Sequence, residues 1–333
     1  MHGLDGTDQG NVELPPMTSL GGITGDPEHE EAYVWVESYV IPPRMLRVTP
    51  ADRRTRTWNA DAPPFDPSRY QTTQVFYRSK DGTRVPMFVT HKKGLALDGQ
   101  NPTILYGYGG FSSSQAPYFS PTQVAWFERG GVLAVANIRG GAEYGVEWHK
   151  AGVRGLKQNV FDDFIAAAEH LIAERITSRK RLAIRGGSNG GLLVAAVALQ
   201  RPDLFGGVLV EVGVLDMLRY HKFTVGHLWA GEYGASDDPA AFKWLHRYSP
   251  LHNVRFGVRY PAMLITTADH DDRVVPAHSY KFTAAVQTAQ AGHAPILLRV
   301  QTRAGHGVGK PLGAKLDEDA DKLGFLLRVM EAE

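Results

Sequence analysis

The sequence predicts an α/β fold: a mostly parallel sheet with helices on both faces, preceded by a short β-rich segment. Three observations carry this reading. Apolar runs of strand length alternate with helical patterns after about residue 70. One of those runs enters a glycine-rich turn, Gly186-Gly187-Ser188-Asn189-Gly190-Gly191, and leaves it in an Ala/Leu-rich helical stretch. The first 60 or so residues have a different texture, with short β-rich runs between turn signals.

Taken in chain order, Ala32-Tyr33-Val34-Trp35-Val36 and Ser38-Tyr39-Val40-Ile41 read as short strands. Turns at Gly21-Gly22, Gly25-Asp26-Pro27 and Pro42-Pro43 punctuate them, which suggests antiparallel sheet. Two or three such strands are too few for an independent core. Asp61-Ala62-Pro63-Pro64-Phe65-Asp66-Pro67 follows and reads as an extended linker. The expected organisation is therefore a β-rich segment with its linker over residues 1–62 and a larger α/β domain over 63–333. Within the latter, Gln74 to Arg78 and Val85 to Val89 flank Lys80-Asp81-Gly82 as a hairpin. Buried strands are expected at Pro102 to Tyr106, Val132 to Asn137, Leu182 to Arg185, Gly207 to Val212, Ala262 to Thr267 and Ile296 to Val300. Phe161, Phe164, Ile165, Ala168, Leu171 and Ile172 follow helical spacing, with Asp162-Asp163 expected in the first turn, where the helix dipole favours acids.

Composition narrows the function classes. The chain has 333 residues, with 36 Lys+Arg against 35 Asp+Glu, a formal net charge of +1. A chain this long can bury its own core. The near-neutral balance without a long basic run argues against nucleic acid or an acidic membrane surface as main partner. Zero cysteines exclude disulfides, thiolate catalysis and Cys-based metal sites. Met1 to Asn11 is polar and unlike a secretory signal, and no apolar run approaches the roughly 20 residues that span a bilayer. The expected compartment is the cytoplasm, or the periplasm if a signal precedes Met1.

The glycine-rich turn is G-x-S-x-G in the strand–turn–helix context that this motif requires. Small neighbours are needed because the serine sits on a tight, strained turn that exposes its Oγ. The helix N-terminus behind it supplies positive potential and a free backbone N–H, from Asn189, for a developing oxyanion. A phosphate-binding loop would end in G-K-[ST] and this one does not. In this motif's usual setting an acid and then a histidine follow the serine along the chain. Asp269-His270-Asp271-Asp272 follows the run ending at Thr267, and Gly305-His306-Gly307 follows the run ending at Val300. Sheets of this type place chemistry beyond the carboxyl ends of strands, which makes His306 the candidate base. Spacing leaves the acid open among Asp269, Asp271 and Asp272. The same cluster with His270 has the donor types of a divalent-metal site, but no second histidine pair or H-E-x-x-H element accompanies it. Leu105 to Phe111, a glycine-rich stretch after an early strand, has the place of an oxyanion loop.

These stretches resemble the catalytic part of the prolyl oligopeptidase family, serine peptidases with an α/β-hydrolase domain that cleave after proline. The similar segments are Tyr106 to Phe111, Ala136 to Gly145, Lys157 to Phe164, Gly186 to Gly191, His227 to Trp229, Ala268 to Pro276 and Ala304 to Gly307. Ala142 departs from the family, which usually has glycine there. The resemblance implies Ser188 as nucleophile, Asp271 as acid and His306 as base. It implies the Tyr108 phenol and the Asn189 amide as oxyanion donors. Trp229 would stack on the substrate proline, Phe111, Tyr233 and Val274 would line the same pocket, and Arg273 would bond the carbonyl one residue further back. Short proline-containing peptides are the implied partners, and no metal or organic cofactor is implied. Alternatives are a carboxylesterase-like hydrolase on the same fold, or an inactive truncated form with a binding role. A propeller-type binding module has too little sequence behind it. Family members carry a β-propeller before the catalytic part, and residues 1–60 resemble only its end. The expectation is an N-terminally truncated or partial chain with an exposed site.

Overall fold

The computed structural model describes residues 1–49, 51, 53–59, 62–307 and 309–330. Asp61 of the expected linker, and positions 331–333 of the expected larger domain, lie outside the described residues. The chain divides into two compact units. One comprises Met1–Thr73, Thr90–Gly94 and Ala116–Glu128, and the other Gln74–Val89, Leu95–Gln115 and Arg129–Glu333.

In the first unit, β1 (Ser19–Gly25), β2 (Ala32–Glu37), β3 (Arg44–Thr49) and β4 (Arg54–Asn59) form an antiparallel sheet in chain order. Side chains alternate across a strand. Val34, Val36, Leu46 and Val48 therefore share a face and make a small core, while Trp35 between them is exposed. The strand expected at Ser38 to Ile41 is a turn instead. Ser38 Oγ accepts the N–H groups of Val40 (3.2 Å) and Ile41 (3.0 Å), and the Ser38 N–H donates to the Ile41 carbonyl at 3.0 Å. A local hydroxyl-to-backbone arrangement has outcompeted the strand propensity of Tyr-Val-Ile. The proline-rich joint is not extended throughout: Pro67–Arg69 is a 3₁₀ turn capped by Asp66, whose carboxylate accepts the Ser68 N–H at 2.9 Å. Helix α1 (Pro121–Glu128) also belongs to this unit.

The remaining strands are β5 (Tyr70–Arg78), β6 (Arg84–Lys92), β7 (Thr103–Tyr106), β8 (Val132–Ala136), β9 (Leu182–Gly187), β10 (Gly207–Glu211), β11 (Ala262–Ala268) and β12 (Ile296–Gln301). They form one sheet in the order β12-β11-β10-β9-β7-β8-β6-β5. β5 and β6, divided between the two units, are the expected hairpin, closed by the Ser79 N–H to the Thr83 carbonyl at 2.8 Å. β7 through β12 pair in parallel. β8 and β11 are buried along their whole length, as expected for parallel strands covered on both faces. The helices of the second unit are α2 (Val146–Lys150), α3 (Gln158–Ala173), α4 (Asn189–Gln200), α5 (Ala230–Tyr233), α6 (Pro239–Tyr248), α7 (Ala277–Ala289) and α8 (Leu312–Val329). In α4 every residue from Asn189 to Ala198 is buried, so it runs inside the core rather than along its edge.

Helix α3 starts one turn earlier than expected, at Gln158, so Asp162 and Asp163 stand in its second turn. Their reason for being there is not the helix dipole alone. Asp163 is fully buried and receives Arg139 Nη2 at 2.6 Å and Nε at 2.9 Å.

Chain connectivity locates the functional end of the sheet. From β7 the chain steps to β8 on one side, then returns to β9 on the other side of β7. Loops leaving the carboxyl ends of β7 and β9 therefore diverge and leave a crevice between them.

Candidate active site

Ser188 is the single residue between β9 and α4. It has φ 56° and ψ −116°, a left-handed backbone that costs a non-glycine residue roughly 1–3 kcal/mol. The surroundings hold it there. Its N–H donates to the Glu211 carbonyl at 2.8 Å, and its own carbonyl accepts the N–H groups of Gly191 (2.9 Å) and Leu192 (3.2 Å). The glycines are forced by contact: a Cβ on Gly186 would lie 2.2 Å from the Gly190 carbonyl oxygen, and one on Gly191 2.6 Å from Gly213 Cα. The main chain alone thus presents the Ser188 side chain, and the Asn189 amide is among the first-turn donors that lack an intrahelical acceptor.

The loop after β7 carries Tyr108. Burial pushes its phenol above the usual 10, the Glu232 carboxylate adds to this, and Ser188 and Arg273 pull the other way. The phenol therefore keeps its proton at neutral pH and stands beside Ser188 as a donor. The Asn189 carboxamide ties this loop to the pocket wall: Nδ2 donates to the Tyr108 carbonyl at 2.5 Å, and Oδ1 accepts the Tyr233 hydroxyl at 2.8 Å.

Tyr108, Phe111, Ser188, Val214, Trp229, Tyr233 and Arg273 line one cavity of about 250 Å³. The rings of its aromatic wall pack against one another. Trp229 lies parallel to Tyr220 (centroids 6.1 Å apart, 8° between planes), while Tyr233 meets Tyr220 and Phe111 edge-on at 5.3 and 5.5 Å. Val214 joins this lining without having been singled out in the sequence. Val274 does not line the cavity; it is buried in the core, and its N–H bonds Asp271. A larger groove of about 690 Å³, bordered by Arg78, Asp162, Glu169, Arg201 and Tyr248, contains none of the candidate site residues.

The three aspartates left open by spacing have different places. Asp272 is exposed. Asp269 accepts His270 Nδ1 at 2.7 Å, and this bond, with backbone N–H donors behind it, holds its carboxyl down at about 2. Asp271 is buried, and its Oδ1 accepts the backbone N–H groups of Arg273 (3.0 Å) and Val274 (2.8 Å). Its Oδ2 is 2.6 Å from His306 Nδ1. An acid fixed by two amides thus orients the imidazole that follows β12. Among the described residues no hydrogen bond joins Ser188 to His306; such bonds commonly tighten only with substrate in place. The acidic cluster is thus resolved into two separate carboxylate–imidazole pairs, Asp269 with His270 and Asp271 with His306.

Residues 117–333 match the prolyl oligopeptidase family. The chain is 48% identical over 320 residues to the prolyl endopeptidase of Elizabethkingia miricola, covering 96% of this chain and 45% of that protein. It is 48% identical over 275 residues to the prolyl endopeptidase of Dictyostelium discoideum, covering 81% and 36%. A solved structure from a study of two prolyl endopeptidases superposes with a TM-score of 0.95 at 47% identity, covering 99% of this chain and 49% of that one. Prolyl oligopeptidase B from Galerina marginata superposes with a TM-score of 0.91 at 37% identity, covering 100% and 48%. The chain spans about half the length of these two solved relatives. No helix among the described residues is long and apolar enough to cross a membrane. The sheet order, the serine turn and these similarities agree: the chain has an α/β-hydrolase fold and belongs to the prolyl oligopeptidase family.

Proposed function

We propose that this chain is a serine endopeptidase that cleaves short peptides on the carboxyl side of proline, acting in the cytoplasm. The observation that carries the reading is the single cavity in which Ser188 faces an aromatic wall, a protonated phenol and Arg273. A proline ring seated flat on Trp229, itself backed by Tyr220, buries its apolar face against a large aromatic surface. Phe111 and Tyr233 close the sides of that seat. Arg273 bonds the carbonyl preceding proline, a charge-assisted contact of roughly 1.5–3 kcal/mol. The relatives' names, prolyl endopeptidase in bacteria and in an amoeba, agree with this specificity.

In the chemical step His306 Nε2 takes the Ser188 proton as Oγ bonds the carbonyl carbon of the proline itself. Asp271 holds the other ring nitrogen protonated, which fixes the working tautomer. The carbonyl π pair moves to oxygen, and the oxyanion is held by the Tyr108 hydroxyl and the Asn189 N–H; one such donor is worth about 3–4 kcal/mol. Collapse breaks the C–N bond, with His306 returning the proton to the amine. Water, deprotonated by the same imidazole, then attacks the acyl carbon, the ester bond to Ser188 Oγ breaks, and His306 returns the proton to that oxygen. Every step falls to a side chain, a backbone amide or water. In this reading residues 63–333 are the catalytic domain, and residues 1–62 are the end of a propeller with its linker. The four-stranded meander β1 to β4 has the strand count of one blade.

The test is a ranking of substrates. A blocked Gly-Pro amide is expected to exceed a short p-nitrophenyl ester in kcat/KM, and Ser188→Ala to lose about 10⁶-fold in kcat together with labelling by a fluorophosphonate. The reverse ranking would make the protein an esterase on the same fold. Wild type that labels no better than Ser188→Ala would make it a binding protein.

A further inference from the structure

Beneath the site lies a buried charge that the proposed chemistry does not use. Lys157, just before α3, has a side chain only 1% exposed. Its Nζ donates to the Gly109 carbonyl at 2.9 Å and to Glu232 Oε1 at 3.1 Å. Glu232 is buried as well, and its Oε2 is 2.9 Å from His149 Nε2. Taking an ammonium out of water costs several kcal/mol, and apolar side chains of the same volume fill such space as well or better. A cation retained there calls for a reason other than stability.

The reason is where the bonds end. Gly109 directly follows Tyr108, and Glu232 directly precedes Tyr233. Tyr233 donates to Asn189, and Asn189 donates to the Tyr108 carbonyl. The bonds close a ring: Gly109 carbonyl, Lys157, Glu232, Tyr233, Asn189, Tyr108 carbonyl. Two successive carbonyls are thus each gripped by a buried donor, one on either side of the 108–109 peptide's own nitrogen. The loop has little other freedom. Gly109 sits at φ +65°, and a Cβ there would lie 2.3 Å from Val160. With the backbone at Tyr108 and Gly109 fixed, the Cα–Cβ bond from which the Tyr108 phenol projects is fixed with it.

We propose that Lys157 and Glu232 are positioning residues that hold the Tyr108–Gly109 loop where the Tyr108 hydroxyl meets the developing oxyanion. This inference rests on the peptidase reading above. It assigns them no contact with substrate, so their effect appears in the turnover step and not in ground-state binding.

The test is a double-mutant cycle on the full chain with a blocked Gly-Pro amide. Lys157→Met is expected to lower kcat about 10- to 100-fold, the cost of a small misplacement in a catalytic array, with KM within about two-fold. In a Tyr108→Phe background the same substitution is expected to cost less than about three-fold, because the group it positions is gone. Glu232→Gln is the second variant, because it keeps shape and acceptor while removing charge. It is expected to show a smaller kcat loss that also vanishes in the Tyr108→Phe background, and it decides the matter if Lys157→Met does not fold. Equal losses in both backgrounds, or lowered Tm with kcat unchanged, would overturn the inference while leaving the peptidase reading standing. Tyr108→Phe with undiminished kcat would overturn the oxyanion assignment and this inference with it.

Discussion

Ser188 and His306, the two ends of the proposed proton transfer, are held by opposite means. The serine is placed by main chain: a left-handed φ, three backbone hydrogen bonds, glycines that admit no Cβ, and a helix buried over ten residues behind it. The histidine sits between Gly305 and Gly307, and carboxylates on the neighbouring loop hold it. Asp271 takes its Nδ1, while the segment before it is tied by the His270 N–H to the Ala304 carbonyl at 3.1 Å and the Ala304 N–H to Asp269 at 3.4 Å. The difference shows which half of the proposed hydrolytic site tolerates side-chain change. A nucleophile on a turn is as rigid as its strand and helix, whereas a base on a loop is as well placed as the acids beside it.

The sharpest way to break that contrast is Asp271→Asn. The amide oxygen still accepts the Arg273 and Val274 N–H groups, so the loop keeps its shape. Its NH₂ cannot accept from His306 Nδ1–H, and the ring turns to the wrong tautomer. A loss of about 10⁴-fold in kcat is expected, with KM and Tm close to wild type; a loss under ten-fold would mean that His306 is placed by something other than Asp271.

Acid offers the next test, because it reaches the two regions at different pH. His278 on α7 backs the serine side: its Nδ1 accepts the N–H groups of Leu215 (3.3 Å) and Asp216 (3.0 Å) beyond β10. Burial drives its pKa down to about 4 from an ordinary 6.5. With the folded value below the unfolded one, its contribution is complete above pH 6.5 and lost as pH falls to about 4, roughly 3 kcal/mol in all. Asp269 on the base side, lowered to about 2 from 3.8, keeps its contribution until pH falls below 3.8. Urea midpoints measured from pH 7 to 4 are expected to fall in wild type and to stay flatter in His278→Gln. Parallel curves would remove His278 as the cause.

The same contrast explains what the sequence made legible. The turn at Ser188, the strands beside it and the chain order of the proposed acid and base could be read because backbone requirements leave composition signals: glycines at fixed offsets, continuous apolar strands, an Ala/Leu helix. Asp271 could not be separated from Asp269 and Asp272 by spacing, since what distinguishes it is burial and two amide bonds that form only once the loop folds. Lys157 and Glu232 lie 75 residues apart, and nothing local marks either as buried or paired. Val274 carried a family expectation of pocket lining, but the turn that fixes Asp271 draws its N–H inward and its side chain into the core. At Ser38 to Ile41 strand propensity misled because one serine hydroxyl satisfied two backbone donors locally.

The smallest expected effect is the most discriminating about the base loop. Asp269→Ala removes the acceptor for the Ala304 N–H, a long bond at 3.4 Å, and for His270, whose side chain is largely exposed. The loop keeps the His270 N–H to Ala304 carbonyl bond and the Asp271–His306 pair, so the base remains oriented while its backbone gains freedom. A two- to five-fold loss in kcat is expected, with KM unchanged, and Asp272→Ala, which alters an exposed side chain, serves as the control at wild-type rate. If Asp269→Ala instead cost a hundred-fold, the loop would owe its placement to both carboxylates jointly. The base would then be held by a network as constrained as the serine turn, and the contrast between the two halves of the site would be gone.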